Sequence, residues 1–178
     1  QFLNKIEMEI EMITYSTLFV ATTVYIHCNN YEGAYLAIKQ HLAQLETQKR
    51  TDELKDIIEK YFDKDEVSEL WITFSDPQPK DEKGTKRITS PFYIEMYKNI
   101  LKPSSIINIK SDSVLLYDLS KEGYLEKGYD IQIDSQDVYG ELVDRVEEDL
   151  RDALEIKTYY EKRWLSEGKK IHFIQLKI

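Results

Sequence analysis

A single cysteine, Cys28, stands among 178 residues, so the chain can close no disulfide of its own and build no multi-cysteine metal site. A reducing compartment, the cytoplasm, is the expectation for such a sequence. Histidine is almost as scarce, and His27, His41 and His172 show no ligand spacing, so no metal is expected. No apolar run approaches the ~20 residues that span a bilayer, and no signal-peptide pattern is visible. No membrane partner is therefore expected. Glycine is limited to six residues, none before Gly33, and no Pro/Gly-rich linker, repeat or low-complexity tract interrupts the chain. Positive charge is also short: 24 Lys and Arg face 33 Asp and Glu, a net charge of −9. That balance weighs against diffuse nucleic-acid binding and leaves only a local basic patch as a route to it. The sequence opens on Gln1, so the gene product is expected to begin earlier.

What is abundant describes a folded domain. Hydrophobic residues make up 42% and charged residues 32%, with 13 tyrosines, which fits one compact domain over 1–178. Ile6, Met8 and Ile10 alternate as in a strand, and Val24 to Ile26 and Leu70 to Phe74 are β-prone runs. Tyr35, Ile38, Leu42 and Leu45 fall at helical spacing, as do Leu54, Ile57, Ile58 and Tyr61. Ser90 and Pro91 read as the N-cap and first residue of a helix through Tyr93, Met96, Tyr97 and Ile100, which Pro103 cannot continue. Ile106 to Ile109 is another strand, Val143, Val146, Leu150 and Leu154 one amphipathic helix, and Tyr160 with Trp164 a helical face after Thr158. Ile171 to Ile178 closes the chain as a strand. Strands alternating with helices in this way predict an α/β fold, a mostly parallel sheet with helices on both faces.

In such sheets ligands bind beyond the carboxyl ends of the strands. Asp76 follows Phe74 at one such end, and Asp112 follows Ile109 at another. Each could equally be a turn or cap aspartate. The stretch around Asp76, FSDPQPKDEKGTKRIT, joins that carboxylate to a loop carrying Lys80, Lys83, Lys86 and Arg87, which is otherwise an ordinary solvated charge cluster. Trp71 and Trp164 are expected in the core, as is at least one of Tyr159 and Tyr160, and Cys28 reads as a small buried hydrophobe.

Four blocks taken together carry more. SELWITFSDPQPK followed by KRIT, then FYIEMYKNILKP, then INIKSDS, then IKTYYEKRW resembles the tRNA guanine-N7 methyltransferases, in order and at compatible spacing. The resemblance runs from about Asp65 to the C-terminus. It implies a Rossmann-like class I methyltransferase fold with an antiparallel C-terminal strand, S-adenosyl-L-methionine as cofactor, and tRNA as partner, methylated at N7 of a variable-loop guanine. The protein would act as a monomer or homodimer. Gln78 stands where most members carry Trp, and one branch of the family has Gln there too. The resemblance gives Asp76 the catalytic role and a cofactor contact, and makes Lys80, Asp112 and Thr158, Tyr159, Tyr160 and Glu161 substrate contacts. It also makes Glu82, Lys83, Gly84, Thr85, Lys86 and Arg87 the RNA-contacting loop. Guanine N7 attacks through an in-plane lone pair and needs no base. Alignment and an opposing charge for the developing cation are what a strand-tip carboxylate supplies.

The N-terminal third resembles the family less. NKIEMEI looks like its first strand, with Glu9 at the acidic position, but runs straight into EMITYSTLFVA, which looks like the next helix, without a glycine-rich turn. Chain breaks are therefore expected between Ile10 and Glu11 and between Ala21 and Thr22, with Glu9 ending a central strand beside Asp76. The exit of the second strand places Asn30 near the ribose contact, and Asp52 is the adenine-side residue by the same resemblance. The rival reading is a catalytically inactive tRNA-binding paralogue on the same fold.

Overall fold

The computed structural model describes residues 62–79 and 87–178 in full, and the main chain of 8–14 and 20–28. Six strands form one sheet: β1 (Met8–Thr14), β2 (Val20–Cys28), β3 (Val67–Thr73), β4 (Leu101–Ser111), β5 (Asp130–Ser135) and β6 (His172–Lys177), in the order β1-β2-β3-β4-β6-β5. Among the described residues only β3 and β4 run parallel, and the other pairings are antiparallel. The expected antiparallel C-terminal strand is present as β6, but the expected mostly parallel sheet is not. The cause at the N-terminal edge is chain length: the short span from Thr14 to Val20 suffices for a hairpin, whereas parallel neighbours need a long crossover.

That hairpin also replaces the helix expected over residues 11–21. β1 passes through Ile10 and Glu11, which pair with Val24 and Thr23, and β2 passes through Ala21 and Thr22, so neither expected break is present. The hairpin's two arms are rich in residues that favour strands: Ile10, Ile13 and Thr14 on one, and Val20, Thr22, Thr23 and Val24 on the other. The two helices expected between Tyr35 and Tyr61 lie outside the described residues.

The parallel pair organises the layers. Leu70 and Ile72 of β3 and Ile107 and Ile109 of β4 point to one face, with Ile174 and Leu176 of β6. Helices α1 (Pro91–Tyr97) and α2 (Val114–Lys127) cover them through Ile94, Tyr97, Tyr117 and Tyr124. Phe173 and Trp71 face the other way, packed with Val138, Leu142, Leu154 and Trp164 from the elements that precede β6. Helices on both faces of the sheet were expected and are present.

Sequence pattern accounts for most helix ends. α1 starts at Pro91 after Ser90, although the Ser90 side chain makes no capping bond. It stops at Tyr97, and Pro103 lies within β4 instead of after a helix. Lacking an N–H, Pro103 is tolerated where the ladder is irregular, between the pairs Val67–Leu101 and Glu69–Ile106. α2 was not expected; Ser113 caps it by accepting from the Leu116 N–H at 3.2 Å, and Gly128 ends it at φ 70°, where glycine carries no strain. Gly123 lets α2 approach α1, since a Cβ there would lie 3.0 Å from Pro91 Cγ.

The helix expected through Val143, Val146, Leu150 and Leu154 is broken. A π-helical turn (Val138–Leu142) and a 3₁₀ turn (Val143–Arg145) precede an extended Val146, and α3 (Glu148–Glu155) begins afterwards. Arg151 makes the break affordable by donating to the carbonyls of Val143 at 2.9 Å and Val146 at 3.1 Å, which the interruption frees. The final helix, α4 (Tyr159–Ser166), starts where Thr158 predicted it.

Phe173 is fully buried and lies 5.9 Å from Trp71, ring centroid to centroid. Phe173→Ala should cost about 3–5 kcal/mol, through lost transfer energy and the cavity left behind. Urea unfolding of the two proteins checks this, and a loss under about 1 kcal/mol would mean the second layer collapses to fill the space.

Candidate active site

The parallel register brings the ends of β3 and β4 side by side, and the Phe74 N–H donates to the Lys110 carbonyl at 2.8 Å. Asp76 and Asp112 emerge just beyond these two ends, as the topology reading anticipated.

The turn at Asp76 is unusual in its backbone. Phe74 and Gln78 both adopt left-handed conformations, at φ 54° and 42°, which non-glycine residues rarely take. Three contacts and constraints hold it. Asp76 Oδ1 accepts from the Gln78 N–H at 2.9 Å, Arg87 Nη1 donates to the Gln78 carbonyl at 3.0 Å, and Pro77 and Pro79 restrict φ on either side. Asp76 is half-buried, so its carboxylate is presented at the surface by a turn that is itself pinned. Arg87 is accordingly a brace of this turn.

Asp112 is half-buried beside Lys169, 4.0 Å away. Lys169 in turn lies 3.5 Å from the ring centre of Trp164, which packs against the core as expected.

Two residues back on this strand end, Lys110 is the centre of a buried network. Its side chain is 3% exposed and reaches Glu161 Oε1 at 2.7 Å; Glu161 is 0% exposed. Lys110 also donates to the Leu154 carbonyl at 2.8 Å and to the Tyr139 hydroxyl at 3.1 Å. Tyr139 donates to Glu161 Oε1 at 2.5 Å. Burial lowers the pKa of the Lys110 ammonium, and the Glu161 carboxylate opposes that shift. Burial also raises the Tyr139 phenol, with the Glu161 contact adding to it. Glu161 Oε2 is buried and has no partner among the described residues. One turn earlier, Thr158 Oγ1 accepts from the Glu161 N–H at 3.1 Å. Tyr159 is 76% exposed, whereas Tyr160 is half-buried with its ring edge-on to Tyr159 at 5.6 Å.

Residues 36–174 match the model of a family described as "Putative methyltransferase". The chain belongs to that methyltransferase family. It is 41% identical over 124 residues to a protein of Bacteroides thetaiotaomicron named tRNA (guanine-N(7)-)-methyltransferase, covering 69% of this chain and 46% of that protein. Proteins of the same name from Bacteroides fragilis, 41% identical, and Christiangramia forsetii, 34% identical, cover 67% and 69% of the chain and 44% and 53% of their own lengths. The chain thus spans about half the length of the curated relatives it matches.

Membership in a methyltransferase family implies a methyl donor. Of the residues that the resemblance gives to the donor, Asp76 stands at a described strand end, and Glu9 does not stand beside it. Glu9 sits near the start of β1, an edge strand, paired with Tyr25 inside the hairpin, instead of ending a central strand beside Asp76. No glycine lies in or next to β1 or β2 to let a backbone approach a ligand. Asn30, Asp52, Lys80 and the loop residues Glu82, Lys83, Gly84, Thr85 and Lys86 lie outside the described residues. The structure therefore brings together Asp76 with Arg87, and Thr158 to Glu161 with Lys110. It leaves Glu9 apart from both groups.

Lys110 and Tyr139 were not foreseen. The signal for Lys110 was present, because a lysine closing the apolar run IINIK in a buried strand requires a partner. Nothing in the sequence pointed to Tyr139.

Elsewhere in this methyltransferase chain, His172 is buried and stacks on Tyr117 with centroids 5.2 Å apart. Burial lowers its pKa below the ordinary 6.5; Asp118, Asp112 and Asp137 and a backbone hydrogen bond at Gln136 pull the other way. The folded state thus favours the neutral ring, and the unfolded chain takes up the proton first as pH falls through 6.5. Stability present above that value should decline below it. His172→Phe should make the fall between about pH 7 and pH 5 shallower, by up to ~1.4 kcal/mol per pH unit. Denaturant unfolding across that range tests it, and superimposable slopes would refute the lowered pKa.

Proposed function

We propose that this chain acts in methyl transfer from S-adenosyl-L-methionine to N7 of a guanine in the variable loop of tRNA, as an enzyme of the cytoplasm. The observation that carries the reading is the pinned turn at Asp76 beside Asp112, on the ends of two adjacent parallel strands. The relatives' shared name supports it. When bound, the donor supplies an electrophilic methyl group. The chain's own residues act on the acceptor.

Asp76 accepts N–H groups of the guanine and places its negative charge against the positive charge that spreads over the purine as N7 is alkylated. The two left-handed residues and the Arg87 brace hold that carboxylate before substrate arrives, so little reorganisation is needed at reaction. Lys80 and Asp112 hold the acceptor nucleotide, with the segment Thr158 to Glu161 closing the substrate side. Tyr159 offers an exposed ring there for stacking on a base. Glu82 to Lys86 contact the RNA backbone, the local basic patch that an acidic chain requires.

Asp76→Asn should lower methylation of tRNA by on the order of a hundredfold while leaving the melting temperature unchanged. Incorporation of labelled methyl groups into tRNA measures this, and near-parent turnover by the folded variant would overturn the assignment of Asp76. Calorimetry with S-adenosylhomocysteine tests the donor directly; no binding would overturn that part of the reading.

Because Arg87 braces the Asp76 turn, the phosphate contacts are tested with Lys83→Ala and Lys86→Ala together. The slope of log K against log salt for tRNA binding should drop by about two at most. An unchanged slope would place the RNA elsewhere.

A further inference from the structure

The substrate side of the proposed site contains a carboxylate that nothing can approach. Glu161 exposes none of its surface, and Oε1 is already shared by the Lys110 ammonium at 2.7 Å and the Tyr139 hydroxyl at 2.5 Å. Oε2 has no partner among the described residues but is equally sealed, so a base reaches it only if α4 lifts from the sheet. Lys110 spends its three donors on Glu161, the Leu154 carbonyl and the Tyr139 hydroxyl. One ammonium therefore joins β4, the π-helical turn, the end of α3 and the first turn of α4. Asp112 lies two residues beyond Lys110 on the same strand end, and Thr158 caps the turn that carries Glu161.

We propose that Lys110 is a positioning residue for the methyl acceptor: through Glu161 it clamps the first turn of α4 to the end of β4 and so sets Thr158, Tyr159 and Tyr160 against the strand end from which Asp112 emerges. This rests on the tRNA reading above and deepens it, by making Glu161 an anchor and the exposed residues of its turn the ones that meet RNA. Removing the ammonium frees α4 to shift, and small displacements of a substrate-holding element are costly in rate and binding.

The test is steady-state methylation of tRNA by Lys110→Met, by Glu161→Gln and by the double variant Lys110→Met/Glu161→Leu, each checked for folding by circular dichroism. A buried ion pair replaced on both sides by apolar groups is often tolerated, whereas one partner left alone is not. Lys110→Met should raise the KM for tRNA about tenfold or more while leaving the KM for S-adenosylmethionine unchanged. The double variant should return the tRNA KM to within about threefold of the parent, because α4 is held again by packing. Two results overturn the proposal. One is a folded Lys110→Met with the parent's tRNA KM, which would make the pair merely stabilising. The other is a folded double variant as impaired as Glu161→Gln, which would make Glu161 itself a contact to the acceptor. If Lys110→Met does not fold, the double variant decides by the same criterion. A parent protein that leaves tRNA unmethylated removes the underlying reading as well, whereas a methylating parent with either overturning result removes only the clamp.

Discussion

The ion pair between Lys110 and Glu161 is the constraint on which the second layer of the structure depends. Two charges sealed from water each carry a desolvation penalty of several kcal/mol, and their attraction offsets it only when the remaining donors and acceptors are also satisfied. Here Lys110 is fully satisfied, by a carboxylate, a carbonyl and a phenol, whereas Glu161 Oε2 has no partner among the described residues. The pair does not select itself for stability, since an apolar pair of similar volume would serve as well. It does specify geometry, because the ammonium draws its three partners from the π-helical turn, α3 and α4 at once.

The same strand carries the other half of the arrangement. β4 is one of the two parallel strands, and its backbone accepts the Phe74 N–H at the point where the Asp76 turn begins. The turn and the buried network therefore meet at Lys110, one through its carbonyl and the other through its ammonium. The left-handed residues Phe74 and Gln78 are strained positions of the sort that persist where surrounding contacts over-determine them. In this chain those contacts are the Asp76 and Arg87 hydrogen bonds and the two prolines.

Much of this was legible along the chain. The runs at Leu70, Ile106 and Ile171 became β3, β4 and β6, Thr158 capped a helix, and Asp76 and Asp112 came to neighbouring strand ends. These features are local: alternation, a cap, or a carboxylate following an apolar run. Two other readings failed, and one helix was missed, for want of nonlocal information. The helical spacing of Val143, Val146, Leu150 and Leu154 was real, yet Arg151 supplied an alternative set of donors that allows Val146 to be extended. The helix α2 has its cap and its terminating glycine in the sequence, but its apolar pattern is weak, because large side chains such as Val114 and Leu125 are exposed. Strand direction was overestimated as parallel because alternation of strands and helices does not record which strands become neighbours.

The sequence by itself determined the family blocks, the carboxylates at two strand ends, the basic loop within an acidic chain, and the cap that starts α4. Each depends on residue types within a few positions of one another, so propensity and spacing suffice. Only the tertiary structure decided that β1 and β2 form an antiparallel hairpin at the sheet edge, that Arg87 braces the Asp76 turn, and that Lys110 finds Glu161. Lys110 and Glu161 are far apart in the chain, and a buried charge states in the sequence that it must have a partner without stating which. Packing chooses that partner, because of the carboxylates carried by the layer that covers the end of β4, Glu161 is the one buried beside Lys110.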